Sequence, residues 1–271
     1  MLVLAALLSV AIGVTVGLLG GGGSILTLPL LVYLLHVETK AAIASSLLLV
    51  GTTSLVGAVS HARAGNVQAR AGAVFGAAAM GGAFAGGRLA SLFSGAALLL
   101  VFACVMLVTA LAMMRPRADA EGASQLALGR VLAAGVAVGL VAGLVGAGGG
   151  FLVVPALVFF GGLAMRQAVG TSLMVIALQS FAGLLGHLRH TQIDLRVTGI
   201  LTVAAVAGSL VGARLAAKAP AKLLRAGFAW LVLAMALFML GKQLGYRVPL
   251  VAAPFVVGLG LWLARPARTS P

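Results

Sequence analysis

The sequence predicts an all-α, polytopic helical membrane protein with two homologous, inverted repeats, each beginning with a glycine-broken helix or re-entrant hairpin. Three observations lead to this fold class. Hydrophobic residues make up 62% of the 271 residues and charged residues only 8%, whereas a soluble domain carries about 25% charged residues. Several apolar runs approach the roughly 20 residues that cross the hydrocarbon. One set of motifs also occurs twice at a constant spacing, so the fold is both membrane-embedded and duplicated.

The charge pattern is typical of a multi-pass protein of the bacterial inner (plasma) membrane. The net charge of +14 comes from Lys and Arg residues that lie singly or in pairs between apolar runs, which is the loop pattern of such proteins. We therefore expect the lipid bilayer, and no nucleic acid, as a partner. The single Cys104 predicts no disulfide framework. The N-terminal run lacks a basic n-region, so we interpret it as a retained membrane segment.

The elements follow the apolar runs in order. The first half contains Leu2–Leu19, a glycine break, Ile25–Leu35, Ala41–Ser60, Ala71–Leu92 and Ala96–Met114. The second half contains Val131–Val145, a break, Phe151–Phe160, Ala168–Gly186, Val197–Ala216 and Ala221–Leu240. A last segment, Val251–Ala264, precedes a short basic tail. We divide the chain into a first transmembrane repeat (1–114), a polar inter-repeat loop (115–128), a second repeat (129–241), and a last transmembrane segment with its tail (242–271).

The duplication is visible without a gap. Gly17–Ala90 aligns with Gly143–Ala216 at an offset of 126 residues, and 24 of 74 positions are identical. Shared apolar composition would align Leu, Val and Ala, but it would not align Pro29, His61 and Arg63 with Pro155, His187 and Arg189. Internal duplication is a frequent construction of transporters.

The distribution of basic residues favours an inverted arrangement. If each broken segment is a re-entrant hairpin, each half crosses three times, and the chain crosses seven times in all. The richer side, which the positive-inside rule makes cytoplasmic, then holds Arg63, Arg70, Arg115, Arg117, Arg130, Arg166, Arg214, Lys218, Lys222, Arg225, Arg265 and Arg268.

The glycine breaks predict a binding site for a small oxyanion. Backbone that is not helical at membrane depth must lie inside protein or beside a watery cavity, so we expect a hydrated centre where the breaks meet. The amides that restart each helix have no intrahelical partner and attract anions. The predicted substrate-binding residues at the breaks are Gly22, Gly23, Ser24, Gly148, Gly149 and Gly150. No metal or cofactor is expected.

Polar side chains on the next helix of each half extend this site. Ser46, Ser172 and Gln179 are the preferred candidates for substrate binding, and Thr52, Thr53, Ser54 and Ser180 lie nearby. The alternative is that these groups join neighbouring helices. His61 and His187 are candidates for proton transfer or gating, and the alternative is an anchor at the membrane interface. Close helix packing is the favoured role of Gly82, Gly86, Gly208 and Gly212.

The motifs resemble those of a known family. "GLLGGGGSILTLP" and "GLVGAGGGFLVVP", then "AVGTSLMVIALQSFAGLLGHLRHTQIDL" and "GSLVGARLA", are similar to the TauE/SafE sulfite-exporter family of bacterial membrane permeases. The resemblance covers nearly the whole chain. It implies a permease that exports sulfite, organosulfonates or related sulfur-containing anions.

Two other functions stay open at this point. The first is a proton-coupled importer of the same anions. The second is an intramembrane enzyme, which the scattered histidines and the lack of metal-ligand spacing argue against, so we expect no catalytic residues. The four acidic residues fall in or beside loops, which argues against a carboxylate-based cation site. Assembly as a homo-oligomer is also left open.

Overall fold

The computed structural model describes residues 2–114, 128–146, 148–188, 191 and 193–244. Every regular element in these ranges is helical. The inter-repeat loop and the predicted last segment, Val251–Ala264, lie outside the described residues.

The elements follow the predicted order closely. Helix α1 is followed by a 3-10 turn, one α-turn (α2) and a π-turn, which together form the Gly22–Leu34 segment. The helices are α1 (Leu2–Leu19), α2 (Thr27–Pro29), α3 (Thr39–Arg63), α4 (Ala69–Leu89), α5 (Gly95–Met114), α6 (Leu128–Val145), α7 (Gly150–Phe159), α8 (Met165–His187), α9 (Leu195–Lys218) and α10 (Ala221–Leu244).

Six described helices are long and apolar enough to cross a membrane, and four apolar helices are shorter. The six are Thr39–Arg63, Ala69–Leu92, Gly95–Met114, Met165–His187, Leu195–Ala216 and Ala221–Leu244. The shorter ones are Val3–Leu19, Ser24–Leu34, Gly129–Val145 and Gly150–Phe159. The short helices come in consecutive pairs at the start of each half, which is where the sequence predicts the glycine-broken hairpins.

Contacts between helices recur at the 126-residue offset. Helix α1 packs along α9, and α6 packs along α4. A side chain on Gly82 or Gly86 would collide with the α6 backbone, and one on Gly208 or Gly212 would collide with the α1 backbone. The predicted packing role of these four glycines is confirmed.

The direction of the helices agrees with an inverted arrangement. Gly51 lies against Ser180, whereas Gly57, further along α3, lies against Leu173, which comes earlier in α8. The two equivalent helices α3 and α8 are therefore antiparallel. The end of α1 meets the end of α3, where His61 bonds to Gly17. The Gly22–Leu34 segment thus returns the chain toward the end at which α1 begins, as a hairpin does.

Basic residues gather at one end of this bundle. Here α3 and α9 end, and α4, α8 and α10 begin, so this end carries Arg63, Arg70, Arg166, Lys218 and Lys222. Arg166 Nη2 donates to Ala219 O at 2.9 Å, which ties the start of α8 to the end of α9. All of these residues belong to the side that the charge pattern predicts to be cytoplasmic.

Two of the acidic residues have a local structural role. The Glu38 side chain accepts a hydrogen bond from Ala41 N at the start of α3. The Asp194 side chain accepts from the amides of Arg196 and Val197 at the start of α9. Both carboxylates satisfy helix-end amides that have no intrahelical partner.

Candidate functional site

Glycines in the left-handed region interrupt the first helix of each half. Gly20 and Gly21 have φ of 64° and 90°, and Gly146, Gly148 and Gly149 have φ of 69°, 63° and 63°. Side chains rarely allow this backbone conformation. The glycine runs therefore end α1 and α6 where a run of leucine or valine would continue them.

The chain becomes helical again directly after each break. In the first half, the Ser24 amide and hydroxyl both donate to Gly21 O as the 3-10 turn begins. In the second half, the amides of Leu152 and Val153 both donate to Gly149 O. The amides of Gly150 and Phe151 precede these first bonds, so the start of α7 is an electropositive helix end.

The two breaks meet inside the bundle. A Cβ on Gly150 would lie 2.7 Å from the Cα of Gly21, a separation that only glycine at this position allows. Gly21 belongs to the first half and Gly150 to the second. The backbone of both halves therefore meets at one buried point.

This meeting point is closely packed in the conformation described. A Cβ on Gly20 would lie 2.6 Å from the Cα of Val169. A cavity of about 570 Å³ lies between α1, the Gly22–Leu34 segment and α10, and one of about 460 Å³ lies between α4 and α8. No break glycine lines either cavity. The hydrated hollow expected between the breaks therefore stays a prediction, and it is not one of these two cavities.

Two serines hold the breaks from the opposite half. Ser172 Oγ lies 2.7 Å from Gly20 O and 2.8 Å from Val169 O. Ser46 Oγ lies against Gly146 O and 3.0 Å from Ile43 O. A buried serine has one hydroxyl proton to donate, so both predicted ligands are occupied by backbone here. They join helices, which is the alternative that the sequence left open.

One polar atom of the Gln179 side chain is hydrogen-bonded, and the other has no hydrogen-bond partner. Its Nε2 donates to Gly148 O at 2.5 Å, and its Oε1 is buried without a hydrogen-bond partner. Thr27, Thr53, Ser54 and Ser180 also have buried side-chain oxygens without a partner. Such atoms are uncommon in folded proteins, and Gln179 and Ser180 lie beside the breaks.

The two histidines are buried against the helix ends that precede the breaks. His61 Nε2 lies 3.1 Å from Gly17 O, and His187 Nε2 lies 2.8 Å from Gly143 O. Each ring is only 3% exposed. Because a carbonyl oxygen can only accept, each Nε2 carries a proton in this conformation. Each histidine therefore caps the last turn before a glycine break.

Sequence reasoning missed the partners of these side chains, although a signal was present. Gly17 and His61 are separated by the same 44 positions as Gly143 and His187. This repeated spacing could have indicated that each histidine contacts the helix end before a break. The unpartnered Thr27 was not singled out at all.

Among the residues that the structure describes, no three His, Cys, Asp or Glu residues form a group that could hold a metal.

Comparison with known proteins identifies the family. The model of the family described as "Sulfite exporter TauE/SafE" matches residues 5–239. A "Probable membrane transporter protein" of Xylella fastidiosa strain 9a5c is 33% identical over 240 residues, which cover 86% of this chain and 92% of the relative. The "Probable membrane transporter protein YdhB" of Bacillus subtilis strain 168 is 27% identical over 213 residues, which cover 76% of this chain and 85% of the relative. No solved structure matches.

These matches agree with the helical architecture and with the motifs around the glycine breaks. The apolar helices are those of a multi-pass membrane protein, and the relatives are named as membrane transporters. The chain belongs to the TauE/SafE family of membrane transporters.

Proposed function

We propose that this protein exports small sulfur-containing anions, such as sulfite or organosulfonates, across the bacterial inner membrane. The family description names sulfite export, and the relatives are named as membrane transporters without a substrate. We expect the anion to pass between the two glycine breaks and to contact Gly22, Gly23 and Ser24 of one half and Gly148, Gly149 and Gly150 of the other.

The observation that carries this proposal is the contact of Gly21 with Gly150. It brings together the interrupted helices of both halves, and it lies at the start of α7, a helix of 10 residues. The first amides of such a helix favour a negative charge. A compact oxyanion fits this site better than a cation or an apolar solute does.

The closed packing makes a conformational change part of the mechanism. Ser46 and Ser172 each bond a carbonyl of the opposite half, so separation of the halves on either side releases one of the two bonds. Inverted halves give two related ways to open, one toward each side of the membrane. The substrate then replaces contacts that the closed state makes within the protein.

The membrane potential supplies the driving force for export. Moving one charge through 100 mV is worth about 2.3 kcal/mol. With the cell interior negative, an anion leaves downhill. The acidic residues Glu38 and Asp194 are used as helix caps, which fits a path without a carboxylate-bound coupling cation.

The test is efflux of sulfite from proteoliposomes that contain the purified protein. We expect efflux to rise when a potassium gradient with valinomycin makes the interior negative. The Gly149→Leu variant should lose efflux, because Gly149 has a positive φ and a Cβ there would lie 2.7 Å from Gln179 Nε2. The control is Gly129→Leu, since nothing lies within 4 Å of a Cβ at Gly129.

Two outcomes would count against this function. Efflux equal to that of empty liposomes would remove sulfite as a substrate. Accumulation of the anion driven by an inward proton gradient, without any response to the potential, would instead favour the proton-coupled importer.

A further inference from the structure

Four buried polar atoms without partners lie on the packed helices α3 and α8. They are Thr53 Oγ1 and Ser54 Oγ on α3, and Gln179 Oε1 and Ser180 Oγ on α8. All four side chains are 0% exposed. Thr53 and Gln179 are equivalent at the 126-residue offset, as are Ser54 and Ser180. Each half therefore carries unpartnered polar atoms at the same two positions, and we call these four residues the polar cluster.

The α8 side of this cluster faces the second glycine break. A Cβ on Gly148 would lie 3.0 Å from Ser180 Oγ, and Gln179 Nε2 donates to Gly148 O. Ser180 also lies against Gly51 of α3, where a Cβ would be 3.2 Å from Ser180 Cβ. Thr53 and Ser54 follow Gly51 by two and three residues. Gln179 and Ser180 thus adjoin the break through which the proposed substrate passes.

The orientation of the Gln179 amide is fixed by its bond. Turning the amide over would place Oε1 against Gly148 O, and two acceptors would then face each other. Nε2 therefore stays on the carbonyl, and Oε1 remains a hydrogen-bond acceptor only. A bare oxyanion offers only acceptors, so it cannot bond to Oε1. A buried acceptor left unpaired is destabilising, because it has lost its hydrogen bonds to water.

Resting on the proposed function, we infer that the preferred substrate is an anion that carries its own hydrogen-bond donor, a hydroxyl or ammonium group beside the charged oxygens. The donor bonds to Gln179 Oε1, and the Ser180 hydroxyl beside Gly148 donates to the oxyanion. Hydroxyalkyl and aminoalkyl sulfonates have this chemistry. An alkyl sulfonate of the same size lacks the donor, so it leaves Gln179 Oε1 unpaired.

The test compares 2-hydroxyethanesulfonate with propane-1-sulfonate. The two anions have the same charge and nearly the same size, and they differ by a hydroxyl in place of a methyl group. Binding is measured by titration calorimetry on the purified wild-type protein. We expect 2-hydroxyethanesulfonate to bind roughly tenfold more tightly, the value for one hydrogen bond of about 1.4 kcal/mol.

A variant locates the source of the preference. Gln179→Met keeps the length of the side chain and removes Oε1, so the affinity ratio should fall to about one while propane-1-sulfonate still binds. The control is Thr109→Val, which removes a buried hydroxyl of α5 that bonds to Val105 O and should leave the ratio unchanged. The wild-type comparison decides the question even if Gln179→Met fails to fold.

The outcomes separate the two proposals. If both sulfonates bind with equal affinity, the selectivity for a donor is wrong and anion transport stands. A preference that survives in folded Gln179→Met would also overturn the assignment of Gln179. If neither sulfonate binds and sulfite does not move in the efflux assay, the proposed function and this inference fail together.

Discussion

At the scale of single residues, buried side chains bond to the carbonyls that the glycine breaks leave without a helical partner. Five side chains each form a hydrogen bond to such a carbonyl, namely those of Ser46, Ser172, His61, His187 and Gln179. An interrupted helix leaves carbonyls that need partners inside the membrane. These side chains supply the missing hydrogen-bond donors. The structural role of the polar residues is therefore to satisfy the backbone carbonyls at the breaks.

The serine bonds predict a measurable loss of stability. Replacing Ser172 with alanine leaves Gly20 O without its buried donor, and Ser46→Ala does the same to Gly146 O. We expect each variant to lose roughly 1–3 kcal/mol, seen as a melting temperature lower by at least about 2–4 °C in detergent. Ser91→Ala is the control, since its exposed hydroxyl bonds only to Arg88 O. Equal melting of all three variants would contradict this role.

The histidines permit a test of anchoring against proton transfer. Glutamine can place a donor near the position of Nε2, whereas leucine cannot. His61→Gln and His187→Gln should fold and transport, and the leucine variants should melt lower because Gly17 O or Gly143 O loses its donor. The measurement is efflux together with thermal unfolding. Folded glutamine variants that no longer transport would instead show that the imidazole itself takes part.

The sequence predicted where these residues lie but not what they contact. Ser46, Ser172 and Gln179 were expected to face a substrate, and the structure places their donors on carbonyls of the breaks. Spacing along a helix shows that two serines are equivalent. It does not show that the opposing carbonyl is 152 positions away, as for Ser172 and Gly20, because that pairing depends on how the halves pack.

At the scale of elements, glycines set the distance between the helices. A Cβ on Gly82 would lie against Val136 O and 2.8 Å from Leu140 N of α6, whereas nothing lies within 4 Å of a Cβ on Gly81. We expect Gly82→Ala to destabilise the protein because α4 and α6 must move apart. Gly81→Ala should be neutral or stabilise by up to about 1 kcal/mol, since alanine favours helix.

The measurement compares the melting temperatures of Gly81→Ala and Gly82→Ala. Helix propensity changes equally in both variants, so the difference reports the packing of α4 against α6. If Gly82→Ala melted at or above the temperature of Gly81→Ala, the close approach of α4 and α6 would not be needed for stability.

The two hairpins differ in a way that the sequence did not predict. Pro29 and Pro155 are equivalent, and both remove an amide donor. In the first half the chain passes from a 3-10 turn through Pro29 into a π-turn at Leu30–Leu34. In the second half, α7 continues through Pro155 without a change of helix type. Both prolines remove the same amide donor, so the difference between the two hairpins comes from the residues around each proline.

At the scale of the whole molecule, the fold is the part that the sequence predicted best. The all-helical class, the long apolar helices of the described residues and the position of both breaks agree with the structure, because composition and periodicity determine them. The space beside the breaks could not be predicted in the same way. Glycine predicts an interruption, but the shape of the space beside it depends on side chains from the other half.

The inverted arrangement makes a prediction about the two faces of the membrane. Ser94 and Pro220 are exposed and equivalent at the 126-residue offset, and they lie in the connections before α5 and α10. Because equivalent helices run in opposite directions, Ser94 should face outward and Pro220 the cytoplasm. Ser94→Cys and Pro220→Cys are made in a Cys104→Ser background, since Cys104 is exposed and free.

Labelling of intact cells with a membrane-impermeant maleimide should modify Ser94→Cys and spare Pro220→Cys until the cells are opened. The same orientation places Arg63, Arg166 and Lys218 in the cytoplasm, as the positive-inside rule requires. Labelling of both cysteines from one side would show that the halves run in parallel. The two halves would then not provide two inversion-related ways to open, one toward each side of the membrane. Alternating access would need a different structural basis.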